Sequence, residues 1–142
     1  MNTTISYLIT CHDETTTLDN LLSRLDNFIG DNDDEVIIVT DNPTKETSDI
    51  LYNWTYGQTR VYAFEHNLDN NYSEHKNWGA SKCSCNYIFQ IDGDELPSET
   101  LLTNIKEIIE ANPDIEAFWI PRINDFIGVT TEHAKQWGWK LI

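Results

Sequence analysis

Basic residues are scarce in this chain. Lys and Arg number 9 among 142 residues, against 24 Asp and Glu, for a net charge of −15 at pH 7. Nucleic-acid binding relies on Lys and Arg to neutralise phosphates, so that class is excluded. An anionic membrane surface is disfavoured for the same reason. An anionic small molecule is also repelled, unless a metal or a local basic group reverses the sign at its site. Cysteine is sparse too: Cys11, Cys83 and Cys85 form an odd set without a disulfide framework, and free thiols in a reducing cytoplasm are expected. Their Cys-x-Cys spacing matches no common zinc pattern, even with His12, His66, His75 and His133 as partners. No apolar run approaches transmembrane length. The run Ile5 to Thr10 is too short for a signal peptide and has no basic flank. No linker, repeat or low-complexity stretch interrupts the chain. With 39% hydrophobic and 11% aromatic residues, it has the composition of one globular domain with a real core.

What is present is alternation. Ile5 to Thr10 reads as a strand. Leu18, Leu21, Leu22, Leu25, Phe28 and Ile29 then share a helical face, with Thr16 and Asp19 placed for a capping box. Gly30-Asp31-Asn32-Asp33 stops that helix, and Glu35 to Thr40 is a second strand of the buried type. A short helix through Ile50, Leu51 and Trp54 follows the Asp41-Asn42-Pro43 turn. Arg60 to Glu65 alternates as a third strand, and a polar loop leads into a helix around Ser73 to Ser81. The stretch from Asn86 to Glu95 opens with an apolar, strand-like run that ends at Asp92. Pro97-Ser98 opens a helix with Leu101, Leu102, Ile105, Ile108 and Ile109 on one face, and Ala117 to Ile120 is a last strand. This order predicts an α/β fold with a mostly parallel central sheet and helices on both faces. Ligands of such sheets sit beyond the carboxyl ends of the strands, where Asp13-Glu14, Asp41 and Asp92/Asp94 all fall.

Asp92-Gly93-Asp94 is the most informative of these. Side chains at i and i+2 of an extended segment share a face, so the two carboxylates are expected to converge. Two hard oxygen donors suit Mg²⁺ or Mn²⁺, particularly a cation that also carries a diphosphate. Gly93 lets a backbone or ligand approach. A solvated acidic turn is the simpler alternative.

Together these elements resemble the family 2 nucleotide-sugar glycosyltransferases of the GT-A fold. Ile5 to Glu14 is similar to the family's opening strand ending in Pro-Thr-Tyr-Asn-Glu: Glu14 matches, while Thr10, Cys11, His12 and Asp13 depart. Thr40-Asp41-Asn42 is similar to its Asp-Asp-Gly-Ser turn, Tyr72 to Ala80 to its Arg-Asn-x-Gly helix with Lys76 in the arginine's place, and Asp92-Gly93-Asp94 to its DxD motif. Ser73-Glu74, Asp94-Glu95 and Pro121-Arg122-Ile123-Asn124 look most like lipopolysaccharide-core β-glucosyltransferases and their phage-encoded relatives.

The resemblance implies a metal-dependent hexosyltransferase, inverting and cytoplasmic, that uses a UDP-sugar and a carbohydrate or lipid-linked carbohydrate acceptor. It implies donor contacts from Thr10, Cys11, Glu14, Asp41, Lys76, Asp92 and Gly93, with Asp41 reading uracil, and a Mn²⁺ or Mg²⁺ ion on Asp94 and Asp92. Residues 1–124 would form the nucleotide-sugar-binding core and 125–142 a partial acceptor-side tail, as in a C-terminally truncated protein. The tail offers Asp125 and Glu132 as candidate catalytic bases, in no recognisable motif. Trp119, Trp137 and Trp139 are suited either to sugar stacking or to packing. Two alternatives remain. One is a module of the same fold that binds or hydrolyses the donor without transfer. The other is an Asp-x-Asp phosphatase of the haloacid dehalogenase type, which fits less well because Leu96 stands where that family wants Thr or Val.

Overall fold

The computed structural model describes residues 2–29, 33–126 and 129–141, and from residue 124 onward the backbone alone. Its elements run β1 (Ile5–Cys11), α1 (Thr16–Ile29), β2 (Glu35–Thr40), α2 (Lys45–Thr55), β3 (Val61–Glu65), α3 (Tyr72–Ala80), β4 (Tyr87–Asp92), α4 (Glu99–Glu110), β5 (Phe118–Phe126) and β6 (Val129–Leu141). They form one sheet in the order β3-β2-β1-β4-β6-β5. The first four strands in that order are parallel, whereas β6 runs antiparallel to both β4 and β5.

Helices cover both faces, which is why β1 and β2 are apolar without alternation. Ile5, Tyr7, Ile9 and Cys11 of β1 pack with α1, α2 and α4 through Leu18, Leu21, Leu25, Leu51, Leu102 and Ile105. Leu8, Ile37 and Val39 point the other way, against Trp78 and Ala80 of α3. Close contact with α3 depends on Gly79, where a Cβ would stand 3.0 Å from Leu8 Cδ1. β3, at the sheet edge, is only partly covered. The chain reaches β2 and β3 on one side of β1 and returns to β4 on the other. That reversal opens a crevice between the carboxyl ends of β1 and β4, the usual ligand position in such sheets.

Several expectations need correction. The Thr16–Asp19 capping box does not form. Thr16 is already helical, and the Asp19 carboxylate accepts instead from Trp54 Nε1 at 2.7 Å, which ties α1 to α2. Ile108 is 43% exposed, because the buried stripe of α4 runs through Leu102, Ile105 and Ile109 and leaves Ile108 off its edge. The last strand extends to Phe126 and is followed by β6, which was not expected. Residues 30–32 of the expected helix stop lie outside the described residues. Among the described residues, no helix is long and apolar enough to cross a membrane.

Candidate active site

Asp92 ends β4 directly opposite Thr10, its register partner on β1. The pairing places the Thr10 hydroxyl 3.0 Å from Asp92 Oδ1, to which it donates. Lys76 Nζ, reaching down from α3, is 3.5 Å from the same oxygen, and Arg122 Nη2 of β5 is 3.8 Å from Oδ2. Thus two of the chain's few cations converge on one carboxylate at the crevice. Asp94 is not on the same extended face as Asp92. The strand stops at Asp92, and Gly93-Asp94 forms a turn closed by the Glu95 amide donating to the Asp92 carbonyl at 3.0 Å. Asp94 is exposed, with no hydrogen-bond or ion-pair partner among the described residues.

The turn is held by contacts that the spacing alone does not reveal. The Gly93 amide donates to the Thr10 carbonyl at 2.9 Å, and a Cβ at Gly93 would stand 2.7 Å from Cys11 Cβ. The close neighbour that requires glycine is therefore β1 itself. Glu95 Oε2 accepts from the Asp92 amide at 3.0 Å, and its Oε1 is 2.7 Å from Arg122 Nη2. Burial pushes the Glu95 carboxyl up to about 7. The Asp92 and Asp94 charges act in the same direction, while the Asp92 amide and Arg122 oppose the shift. Neither Glu95 nor Arg122 was singled out from the sequence as a site residue. The signals available were the acidic residue directly after Asp94 and the Pro121-Arg122 pair interrupting a strand.

Cys11 sits in the main core cluster, and its thiol is pushed up to about 12, chiefly by burial. Its carbonyl accepts from the Asp41 amide at 3.2 Å. Asp41 follows β2 but makes no Asx turn. Its Oδ1 accepts from the Leu68 amide at 3.0 Å, and its Oδ2 lies 3.7 Å from His12 Nδ1, which also bonds the Asp41 carbonyl. The loop fixed in this way carries Asp69 and Asn70 with left-handed backbones, at φ 47° and 58°. Glu14 accepts from the His12 amide at 2.6 Å and lies beside Gly93. Beneath the loop, buried His75 faces His66, with Nδ1 atoms 3.3 Å apart, and His66 stacks on Trp78. Burial and then the His66 charge hold His75 below its ordinary range, a shift that Lys76 reinforces and Asp41 opposes.

Among the described residues, no three His, Cys, Asp or Glu side chains converge as metal ligands. The residues nevertheless fit a shared site. Mg²⁺ commonly takes one or two carboxylates and completes its shell with substrate phosphates and water. Exposed Asp94, beside Asp92, supplies that number. Asp125 and Glu132, the candidate bases, lie on β5 and β6, where their side chains are outside the described residues. The same holds for Trp137 and Trp139, while Trp119 is exposed on β5.

The family model for glycosyl transferase family 2 matches residues 6–141. The chain belongs to glycosyl transferase family 2. No curated protein matches it in sequence. Among solved structures it is similar to TarS of S. aureus, with a TM-score of 0.65 and 15% identity over 92% of this chain and 23% of that one. It is similar also to TarS 1-349 in complex with UDP-GlcNAc, with a TM-score of 0.61 and 13% identity over 90% of this chain and 37% of that one. A third is the mannosyltransferase PcManGT of Pyrobaculum calidifontis in complex with GDP-Man and Mn²⁺, with a TM-score of 0.56 and 18% identity over 78% and 34%. The chain thus spans between about a quarter and two-fifths of the length of these proteins. At such identities the likeness is one of fold. With family 2 established, the phosphatase alternative falls away.

Proposed function

We propose that this family 2 domain binds a nucleotide-diphosphate sugar, a UDP-sugar, at the β1/β4 crevice and serves a metal-dependent transfer of a hexose, with inversion, to a carbohydrate or lipid-linked carbohydrate. The observation that supports it is the carboxylate Asp92, gripped by Thr10, Lys76 and Arg122, with exposed Asp94 two residues beyond. In this reading Asp94 holds Mn²⁺ or Mg²⁺, while Asp92, whose oxygens already face Thr10 and two cations, orients ribose hydroxyls and backs the metal site. The ion, when bound, supplies a Lewis acid for charge that builds on the leaving diphosphate. Lys76 adds positive charge beside it, and Asp41 and Glu14 line the nucleoside side. The ligands of the neighbours, UDP-GlcNAc in one and GDP-Man with Mn²⁺ in another, favour a nucleotide-sugar over other diphosphates. Within the family, the lipopolysaccharide-core type remains our assignment, on Pro121-Arg122-Ile123-Asn124 and the elements before it.

Calorimetric titration with UDP and GDP, with and without Mn²⁺, tests this reading. UDP is expected to bind with the metal and lose most of its affinity without it, and Asp94→Ala is expected to abolish the metal's effect at unchanged thermal stability. Metal-independent binding, or undiminished binding in Asp94→Ala, would remove the metal role. A second reading, donor binding without transfer, is favoured by the donor-side role proposed for each crevice side chain among the described residues. Transfer of sugar from a UDP-sugar to an acceptor above background decides against it.

A further inference from the structure

We infer that Glu95 is a positioning residue of the donor site, its carboxylate fixing the Arg122 guanidinium at the Asp92 turn so that a cation from β5 meets the diphosphate. The inference rests on the donor-binding reading above. Both Glu95 oxygens are committed, one to the Asp92 amide at 3.0 Å and the other to Arg122 at 2.7 Å. A carboxylate engaged on both sides is a clamp, not a group waiting for an acceptor proton. The clamp joins β4 to a strand two places away in the sheet, because β6 lies between β4 and β5. Arg122 therefore reaches the turn by its side chain and not by strand pairing.

The backbone of β5 is shaped for that reach. Register shifts between β5 and β6 fall at Ile120/Pro121 and again at Arg122/Asn124, one on each side of Arg122. Such irregularities re-aim a side chain, and they concentrate next to active sites. The Arg122 side chain is 28% exposed, with its Nε buried. Its contact with Asp92, at 3.8 Å, is looser than its contact with Glu95. Both contacts are made through Nη2, so a diphosphate oxygen would displace the looser one, to Asp92, and leave the one to Glu95 in place. Guanidinium suits that task, since its planar fork binds carboxylate and phosphate oxygens at once. In a chain with net charge −15, a second cation fixed near Lys76 also helps an anionic donor to enter.

The test compares UDP with uridine, which lacks phosphate, by NMR titration of the full 142-residue chain in Mg²⁺. Arg122→Ala is expected to weaken UDP at least tenfold and leave uridine unchanged. Arg122→Lys, which keeps the charge and loses the fork, is expected to fall between the two. Glu95→Gln should weaken UDP severalfold, again sparing uridine. The Glu95→Gln/Arg122→Ala double variant should bind UDP no worse than Arg122→Ala alone. Unchanged UDP affinity in Arg122→Ala would overturn the inference while leaving the donor reading intact, as would strictly additive losses in the double variant. Equal losses for uridine and UDP would assign Arg122 to the fold and overturn it too. If the unaltered chain binds neither UDP nor GDP, the donor reading fails and takes this inference with it.

Discussion

The Thr10 hydroxyl donates to Asp92 Oδ1 at 3.0 Å, linking the ends of two parallel strands through their side chains as well as their backbones. Thr10→Val keeps the shape and removes the donor. It is expected to cost about 1 kcal/mol of stability by chemical denaturation. The affinity for UDP with Mn²⁺ should fall about fivefold if that loss appears in binding, and Thr10→Ser should recover most of it.

Gly93 lies too close to β1 for any side chain, since a Cβ would sit 2.7 Å from Cys11 Cβ. Gly93→Ala must therefore move β1 or the turn. The expected cost is about 1–3 kcal/mol by chemical denaturation. A variant as stable as the parent would show that the turn yields freely.

At the opposite end of the sheet, Asp34 is almost fully buried. It accepts from the Ile5 amide and pairs with Lys106 Nζ, both at 2.9 Å. Asp34→Ala strands both partners and should cost about 2–4 kcal/mol. Asp34→Asn retains an acceptor for Ile5 and should cost roughly half as much in the same denaturation measurement. Nucleotide binding in either folded variant is expected to match the parent.

His75 makes stability depend on pH. Its imidazole is held below the ordinary histidine range, so the folded chain stays unprotonated there while the unfolded chain takes up a proton. Stability from this group is complete above about pH 6.5, is lost as pH falls through the ordinary histidine value, and levels off only below the folded one. Melting temperatures from pH 8 to pH 5 should drop more for the parent than for His75→Gln. Parallel curves would contradict the assignment.

β1, β2 and α1 were legible in the sequence because burial on both faces, or along one stripe, leaves an unbroken apolar run or a 3.6-residue spacing. β6 was not. Its sequence, Val-Thr-Thr-Glu-His-Ala-Lys-Gln-Trp-Gly-Trp-Lys-Leu, mixes charge and aromatics without a period of two, and antiparallel pairing with β4 and β5 decides its conformation. The carboxylates of the candidate site stood out in the sequence, but their contacts did not. Asp92 and Asp94 were read as strand neighbours, yet the Glu95 amide closing on the Asp92 carbonyl turns the chain first. The Glu95–Arg122 pair joins residues far apart in sequence through side chains alone. No periodicity reports such a contact.

The bond from the Leu68 amide to Asp41 Oδ1 has a further consequence for how this crevice can change. One carboxylate stands at the end of β2 and also fastens the loop that carries two left-handed residues. Exchange of Asp41 for a side chain without an acceptor would free the loop at the same moment as it altered the end of β2. On the proposed reading of Asp41 as the uracil contact, nucleobase preference and loop position change together, and a new preference at this position calls for a second substitution between His66 and Asn71 to fasten the loop again.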